Sequence, residues 1–290
     1  VLCVPFPWPF RHKELDYIAR RLEAVGIVIP WEFHGFNYFD MVRELRPGLP
    51  ALKHVFVAGD HVPDGSTSIK SLVARPIEKE YAPDYLEKTR YPAFEFAWIQ
   101  LTGGTTGFPK FVEATICGRI YSARAFIEAA RMTGDDVTGM FTTGPVGPNV
   151  FSSICAPLVA AKIVMLERFD PEEALKLIER ERISVVAVVP TMLEKMLHHP
   201  HFNRYDLSSL RVFMPSGAPL PASLAIEADE KGFPIVQYLG GVDFGAMTAP
   251  FVDASREARL FTVNRPVPGN EIRLLNEEGA EVAPGEEGEV

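Results

Sequence analysis

Leu101-Thr102-Gly103-Gly104-Thr105-Thr106-Gly107-Phe108-Pro109-Lys110 packs three glycines, three threonines and a lysine into ten residues, directly after an apolar run at residues 94–99. Glycine lets the backbone take positive φ and lie close to a ligand. Successive N–H groups in such a turn form a concave anion site. The threonine hydroxyls and the lysine ammonium add donors and positive charge, so the stretch reads as a phosphate cradle. It is not a Walker A loop, in which Gly-Lys-Ser/Thr opens a helix. Pro109 stands before Lys110, and proline disfavours helical backbone just ahead of it. Lys110 is therefore expected on a loop or strand. The plain alternative is a Thr/Gly-rich surface loop.

Downstream of this cradle the chain alternates. Residues 163–166 read as a buried strand. Asp170 then offers an N-cap, Pro171 suits the first helical position, and Glu172 and Glu173 complement the helix dipole. Ala174, Leu177 and Ile178 fall on one face of that helix. Residues 185–189 form a second apolar run, and Thr191 and Glu194 have capping-box spacing for the next helix. Residues 211–214 read as a third strand, Pro221 as the opening of a helix that Gly232 closes, and residues 234–238 as a fourth strand. Apolar strands alternating with helices predict an α/β fold, with parallel sheets flanked by helices. Ligands of such sheets bind outside the carboxyl ends of the strands. The segments to search are then 144–149, 190–191, 216–219 and 240–243. Residues 260–263 and 271–275, the latter followed by Asn276-Glu277-Glu278-Gly279, read as strands that begin a β subdomain. The expected division is an α/β portion at 1–255 and the start of a β-barrel-like subdomain at 256–290. Near the start, residues 11–25 read as an amphipathic helix with Leu15, Ile18 and Leu22 on one face.

The 290 residues carry a net charge of −9, which disfavours a general nucleic-acid binder. Cys3, Cys117 and Cys155 are few, odd in number and without a CxxC pair, which argues against a disulfide framework or a cysteine-based zinc site. The expected compartment is reducing and cytoplasmic. No apolar run reaches the length of a transmembrane helix. His198, His199 and His201 cluster, but no cysteine or acidic residue lies at metal-ligand spacing in sequence, so they read as a solvated helix end. Asp243-Phe244-Gly245 matches a kinase metal triplet, yet lacks the catalytic loop that accompanies one. Val1 lies in a strand-like run and the chain closes on Gly285-Glu286-Glu287-Gly288-Glu289-Val290; neither end reads as a natural terminus.

The cradle resembles the signature loop of the adenylate-forming (AMP-binding) superfamily. That group comprises acyl-CoA synthetases, aryl-acid activating enzymes, luciferases and peptide-synthetase adenylation domains, with the pattern Ser/Thr-Gly-Thr-Thr-Gly-x-Pro-Lys. Gly104 to Lys110 match it throughout. The Gly-Gly form, and Phe111 after the lysine, resemble the 2,3-dihydroxybenzoate-activating branch. Residues 206–211 and 265–269 extend the resemblance over essentially the whole chain. It implies most of the large N-terminal domain of such an enzyme. The ribose-binding aspartate, the hinge and a small C-terminal lid domain with its catalytic lysine would lie outside these residues.

The resemblance also implies roles. Thr102, Gly103, Gly104, Thr105, Thr106, Gly107 and Lys110 would hold the ATP phosphates, with Thr106 and Lys110 in the catalytic part. Gly217, Ala218 and Pro219 would face adenine, Ser216 standing where the family has a glycine. Leu239, Gly240, Gly241, Val242 and Asp243 align with a segment ending in aromatic-Gly-x-Thr/Ala-Glu. Leu239 replaces the ring that stacks on adenine, Val242 the hydroxyl at the α-phosphate, and Asp243 the glutamate that holds Mg²⁺. Aspartate also binds Mg²⁺ through oxygen, with a shorter arm. Tyr238, one position early, would face the other way by strand alternation. Asn149, Ser152 and Gly241 would meet the acid, with Pro148 in place of a histidine. A hydroxylated aryl acid would satisfy Asn149 in an apolar pocket; a turn asparagine reads equally well. The implied chemistry is activation of an aryl or fatty acid by ATP and Mg²⁺. The acyl group then passes to CoA or a phosphopantetheine carrier protein. A homodimer is left open. Leu239, Val242 and Pro148 also suit an alternative: a degenerate, non-catalytic nucleotide- or acyl-binding module.

Overall fold

The structure, a computed structural model, describes residues 2–102, 107–142, 147–242 and 244–290. The chain divides into two compact units: residues 6–92 with 103–110, and residues 1–5 with 93–102 and 111–290.

In the first unit, helix α1 (His12–Arg21) precedes strand β1 (Gly26–Pro30), helix α2 (Tyr38–Leu45) and strand β2 (His54–Ala58). β1 pairs in parallel with β2, and β2 with a two-residue strand, Thr67–Ser68. Ile27 and Ile29 of β1 point inward and Val28 outward, the period-2 pattern of a strand with one covered face. They pack with Leu15, Tyr38, Met41, Val42, Val55 and Val57. α1 buries Leu15, Ile18 and Ala19 and stops at Arg21, short of the expected residue 25. Glu23 then takes a left-handed φ of 46°, which a continuing helix cannot accommodate. Asn37 caps α2 by accepting from Asp40 N at 2.9 Å.

The second unit opens with an antiparallel pair, β3 (Phe96–Leu101) and β4 (Phe111–Thr115), whose last partners are Leu101 and Phe111. Thr115 then caps helix α3 (Ile116–Ala129) by accepting from Gly118 N at 3.0 Å. The main sheet follows: β5 (Val137–Met140), β6 (Lys162–Met165), helix α4 (Pro171–Glu181), β7 (Val185–Val188), helix α5 (Pro190–Leu197), β8 (Val212–Pro215) and helix α6 (Ala222–Glu230). Its strand order is β8-β7-β5-β6 and every pairing is parallel.

Alternate residues of β7 and β8 feed two cores. Val186, Val188 and Phe213 meet Leu175, Ile178, Leu193 and Ala228 from α4, α5 and α6. Val185, Ala187, Val212 and Met214 meet Ala123 and Phe126 of α3 together with Phe151 and Cys155. Helices thus cover both faces, which is why β7 is an unbroken apolar run. Each fully buried Leu or Ile here contributes about 2 kcal/mol. Residues 151–155 form one π-helical stretch. Cys155 at its end is fully buried and donates its S–H to Ala123 O at 3.6 Å; burial pushes its thiol up to about 12.

Local signals explain α4. Asp170 Oδ1 accepts from Glu172 N and Glu173 N at 2.9 and 3.0 Å, and Ala174, Leu177 and Ile178 are buried as expected. The helix ends on Arg182 in left-handed backbone, φ 55°, where no glycine announces the stop. Four expectations need correction. α5 starts at Pro190 with Val189 as its N-cap and no side-chain cap, so Thr191 lies inside the helix; proline at the first position sets the start instead. Residues 234–238 pair with β8 only at Ile235, through Phe213 N to Pro234 O and Val236 N to Phe213 O, both 3.0 Å. Residues 260–263 are not a strand: Arg256–Phe261 is helix α7, capped by Ser255 accepting from Ala258 N at 3.2 Å. Leu260 alone enters the core, while Phe261 and Val263 stay exposed, so the apolar run does not mark a two-sided strand. In 271–275 only Leu275 makes bridges, to Glu281 and Glu289. The turn there is present, with Asn276 Oδ1 accepting from Glu278 N and Ala280 N.

Candidate active site

β5 runs to β6 on one side, and the chain then returns past β5 to β7 on the other. That reversal opens a crevice at the carboxyl ends of the strands. A cavity of about 600 Å³ lies there. Gly147 and Val150 line it after β5, residues 216–220 after β8, and residues 237–242 after the Ile235 bridge. Gln100 of β3, Arg119, Ser122 and Phe126 of α3, Pro215 at the end of β8, and Gly245, Ala246 and Val263 also line it.

Pro215 ends β8 and the chain turns through Gly217 at φ 85°, a left-handed conformation that favours glycine. An added Cβ at Gly217 would meet only Val189 Cγ1, at 3.6 Å. The loop therefore offers flat, open backbone. Ser216 is 4% exposed and its Oγ has no hydrogen-bond partner among the described residues. Beyond it, Gly240 and Gly241 pair antiparallel with Ala246 and Gly245 in a short hairpin, with Val242 in its turn. Leu239 N donates to Thr248 Oγ1 at 2.7 Å, and Met247 N and Thr248 N donate to Leu239 O. This anchors the segment from behind. Asn270 Nδ2 holds Ala246 O at 2.8 Å.

Tyr238 does not turn away. Its ring lines the cavity, meets Phe126 edge-on at 5.0 Å, and covers Gly240 so closely that an added Cβ would sit 2.5 Å from Cε2. The alternation argument fails because this segment is not a regular strand. Burial pushes the Tyr238 phenol up, partly offset by the Ser216 hydroxyl beside it. Tyr238 thus puts an aromatic ring on the wall where Leu239 has none.

Gly217, Ala218, Pro219, Leu239, Gly240, Gly241 and Val242 are brought together on this one cavity. Asn149 and Ser152 are not among its described lining residues. Asn149 is buried, and its amide is engaged by Thr142: Thr142 Oγ1 donates to Oδ1 at 2.7 Å and Nδ2 donates to Thr142 O at 2.9 Å. The polar partner it needed is thus supplied from within the chain. Gly103, Gly104, Thr105, Thr106 and Asp243 lie outside the described residues. Lys110 is exposed and follows Pro109 in irregular chain just before β4, not at a helix start. Gly107 has open space where a Cβ would stand. Phe108 stacks on Tyr17 of α1 at 4.3 Å, with Lys13 Nζ 5.0 Å from its centroid.

Sequence reading missed two sets of residues. Arg119 projects into the cavity from the first turn of α3; a cation in register with Ser122 and Phe126 (i, i+3, i+7) was the available signal. The histidine cluster has an acidic neighbour after all: one ligand atom each from Glu172, His199 and His201 lie within 4.8 Å of one another. Glu172 Oε1 accepts from Tyr205 and pairs with His201 Nδ1, both at 2.8 Å. Those bonds, His201 foremost, hold the Glu172 carboxyl down to about 2 and explain the cluster as a tie between α4 and the turn after α5.

The AMP-binding enzyme family model matches residues 1–290, and the chain belongs to that family. It is 32% identical over 299 residues to the pyochelin synthase PchD of Pseudomonas aeruginosa, covering 100% of this chain and 51% of that protein. It is 28% identical over 283 residues to the 2,3-dihydroxybenzoate-AMP ligase of Bacillus subtilis, covering 96% and 50%. Among solved structures, the anthranilate CoA ligase AuaEII in complex with anthranoyl-AMP superposes with a TM-score of 0.82 at 23% identity, over 98% of this chain and 54% of that one; this likeness bears on the fold alone. The resemblance read from the loop is borne out. The chain spans about half the length of the curated relatives it matches.

Proposed function

We propose that this chain supplies the nucleotide- and acid-binding part of an ATP-dependent acid–thiol ligase. A carboxylate oxygen bonds to the α-phosphorus of ATP and pyrophosphate leaves. The resulting acyl-adenylate then gives its acyl group to the thiol of CoA or a phosphopantetheine carrier. One observation carries the reading: the cavity at the carboxyl ends of β5 and β8, with flat backbone at Gly217, Ala218 and Pro219 and the Tyr238 ring over Gly240. An open peptide surface beside an aromatic ring suits a planar base. The Ser216 hydroxyl, beside the Tyr238 phenol, adds a donor and acceptor for it.

The remaining assignments rest on the motif. Thr102, Gly103, Gly104, Thr105, Thr106, Gly107 and Lys110 hold the β- and γ-phosphates, Thr106 and Lys110 balancing charge on the departing pyrophosphate. Leu239, Gly240 and Val242 lie along the nucleotide. Asp243 is the proposed carboxylate for Mg²⁺, which when bound offsets phosphate charge. Gly241 faces the acid, an aryl or fatty carboxylate. Asn149 and Ser152 serve that pocket by fixing its wall, since Asn149 is tied to Thr142. The bridges of Leu275 to Glu281 and Glu289 support a β subdomain that begins within residues 256–290, after helix α7. The three cysteines are free thiols, in keeping with a reducing, cytoplasmic setting, and no described helix is long and apolar enough to cross a membrane.

The test is acid-dependent exchange of pyrophosphate into ATP by the full-length protein that carries this chain, paired with calorimetric binding of AMP to the chain itself. Exchange is expected with at least one aryl or fatty acid. Gly217→Val, which adds bulk to a left-handed residue facing the base, should weaken AMP binding about tenfold or more. AMP binding without exchange across a broad acid panel would leave a degenerate binding module. No AMP binding at all would remove the assignment of the cavity.

A further inference from the structure

We propose that the acid activated at this site carries a second anionic group, and that Arg119 is the residue that selects it. The inference rests on the nucleotide-and-acid reading of the cavity and names the substrate class within it.

Arg119 lies in the first turn of α3 and lines the cavity with Ser122 and Phe126. Among the described residues it makes no salt bridge, and its buried Nε has no hydrogen-bond partner. Desolvation lowers its pKa, and no opposing charge among the described residues restores it. No carboxylate occurs among the described lining residues. A cation partly withdrawn from water without a counter-charge is a cost that a fold removes when it has no use for the charge. The position compounds it, because a cation near the amino end of a helix opposes the helix dipole. An anion placed against the guanidinium would relieve both penalties. A planar guanidinium matches a carboxylate or similar oxyanion through two parallel N–H bonds.

Two other anions could claim Arg119. The reacting carboxylate must lose its negative charge as it bonds to phosphorus. A tight ion pair would stabilise that ground state more than the transition state and slow the step. A spectator anion on the same acid keeps its charge throughout, so pairing with it assists binding at no cost to chemistry. The nucleotide phosphates are the second claimant, and they separate in the experiment.

The experiment compares matched acids, benzoate with isophthalate and butanoate with glutarate. Exchange kcat/KM is measured on the full-length protein, and equilibrium binding of the same acids on this chain, for wild type, Arg119→Leu and Arg119→Lys. The expected result is preference for the dianion in each pair. That preference should fall by about a hundredfold in Arg119→Leu, with partial rescue in Arg119→Lys and the KM for ATP held within about threefold. Wild-type preference for the monoanions, or a dianion preference untouched by Arg119→Leu, overturns the inference while leaving the ligase reading in place. A tenfold rise in the KM for ATP with unchanged acid preference overturns it in favour of the nucleotide phosphates. Failure of every acid both to exchange and to bind removes the reading beneath it.

Discussion

The two edges of the main sheet treat buried polar groups in opposite ways. At the amino edge Asp136, Ser184 and Arg211, which precede β5, β7 and β8, close one another off. Arg211 Nε donates to Asp136 Oδ1 at 2.7 Å, Ser184 Oγ donates to the same oxygen at 2.7 Å, and Thr133 N reaches Oδ2 at 2.9 Å. The guanidinium also caps Ala130 O at 2.6 Å and Arg131 O at 3.1 Å. At the carboxyl edge, Arg119 Nε has no hydrogen-bond partner on the cavity among the described residues. Both edges belong to the same unit and contain a half-buried arginine. One edge is finished by the protein's own atoms and serves stability. The other leaves Arg119 Nε without a hydrogen-bond partner among the described residues, as the proposed dianion site requires.

Stability measurements on variants distinguish the two edges. The largest expected effect is at the amino edge. Asp136→Ala strands Arg211 and two further donors, and should lower unfolding free energy by about 3 kcal/mol in urea titrations. A loss below about 1 kcal/mol would mean the edge is not stabilised as its bonds suggest. At the carboxyl edge the sign should reverse. Arg119→Leu replaces an unpaired charge with an apolar side chain of similar reach and should raise stability by about 1 kcal/mol without ligand. A clear loss would show that the guanidinium already has a structural use. Ser216→Ala should change the unfolding free energy by less than about 0.5 kcal/mol, since its hydroxyl makes no close hydrogen bond among the described residues.

The smallest effect concerns acid. Burial opposes ionisation of Asp136, but Arg211, Ser184 and the Thr133 amide together hold its carboxyl below the ordinary 3.8. Its contribution is therefore complete above that value and is lost as pH falls below it. Stability measured against pH should slope downward there in wild type and less steeply in Asp136→Asn. An identical slope in both would place the acid sensitivity elsewhere.

These two edges also show what sequence makes legible. The helices and strands of the sheet were readable where a local signal exists: Asp170 before Pro171, the unbroken apolar run at 185–188, glycine at 217. The cavity-lining segments 216–219 and 240–242 followed from the rule about carboxyl ends. What stayed hidden depends on partners remote in sequence. Asp136 and Arg211 are 75 positions apart, and nothing local announces their pairing. Asn149 was open to a ligand on paper because Thr142 had no visible claim on it. Arg119 became conspicuous only once α3 had a buried face. The segment 260–263 misled because four apolar-looking residues satisfy a strand pattern as readily as the end of a helix. The Ser255 cap and the burial of Leu260 alone decide for the helix.

Cys155, sealed beneath the sheet, gives the molecule an internal clock. With its thiol near 12, only about one molecule in ten thousand would hold the reactive thiolate at pH 8. Solvent-borne reagents must also wait for the core around Phe151 and Ala123 to part. Cys3 is exposed and Cys117 partly so. An alkylating reagent should mark those two while the chain is folded and reach Cys155 only when the sheet opens. The lag before the third label would time that opening, with no probe added to the natural sequence.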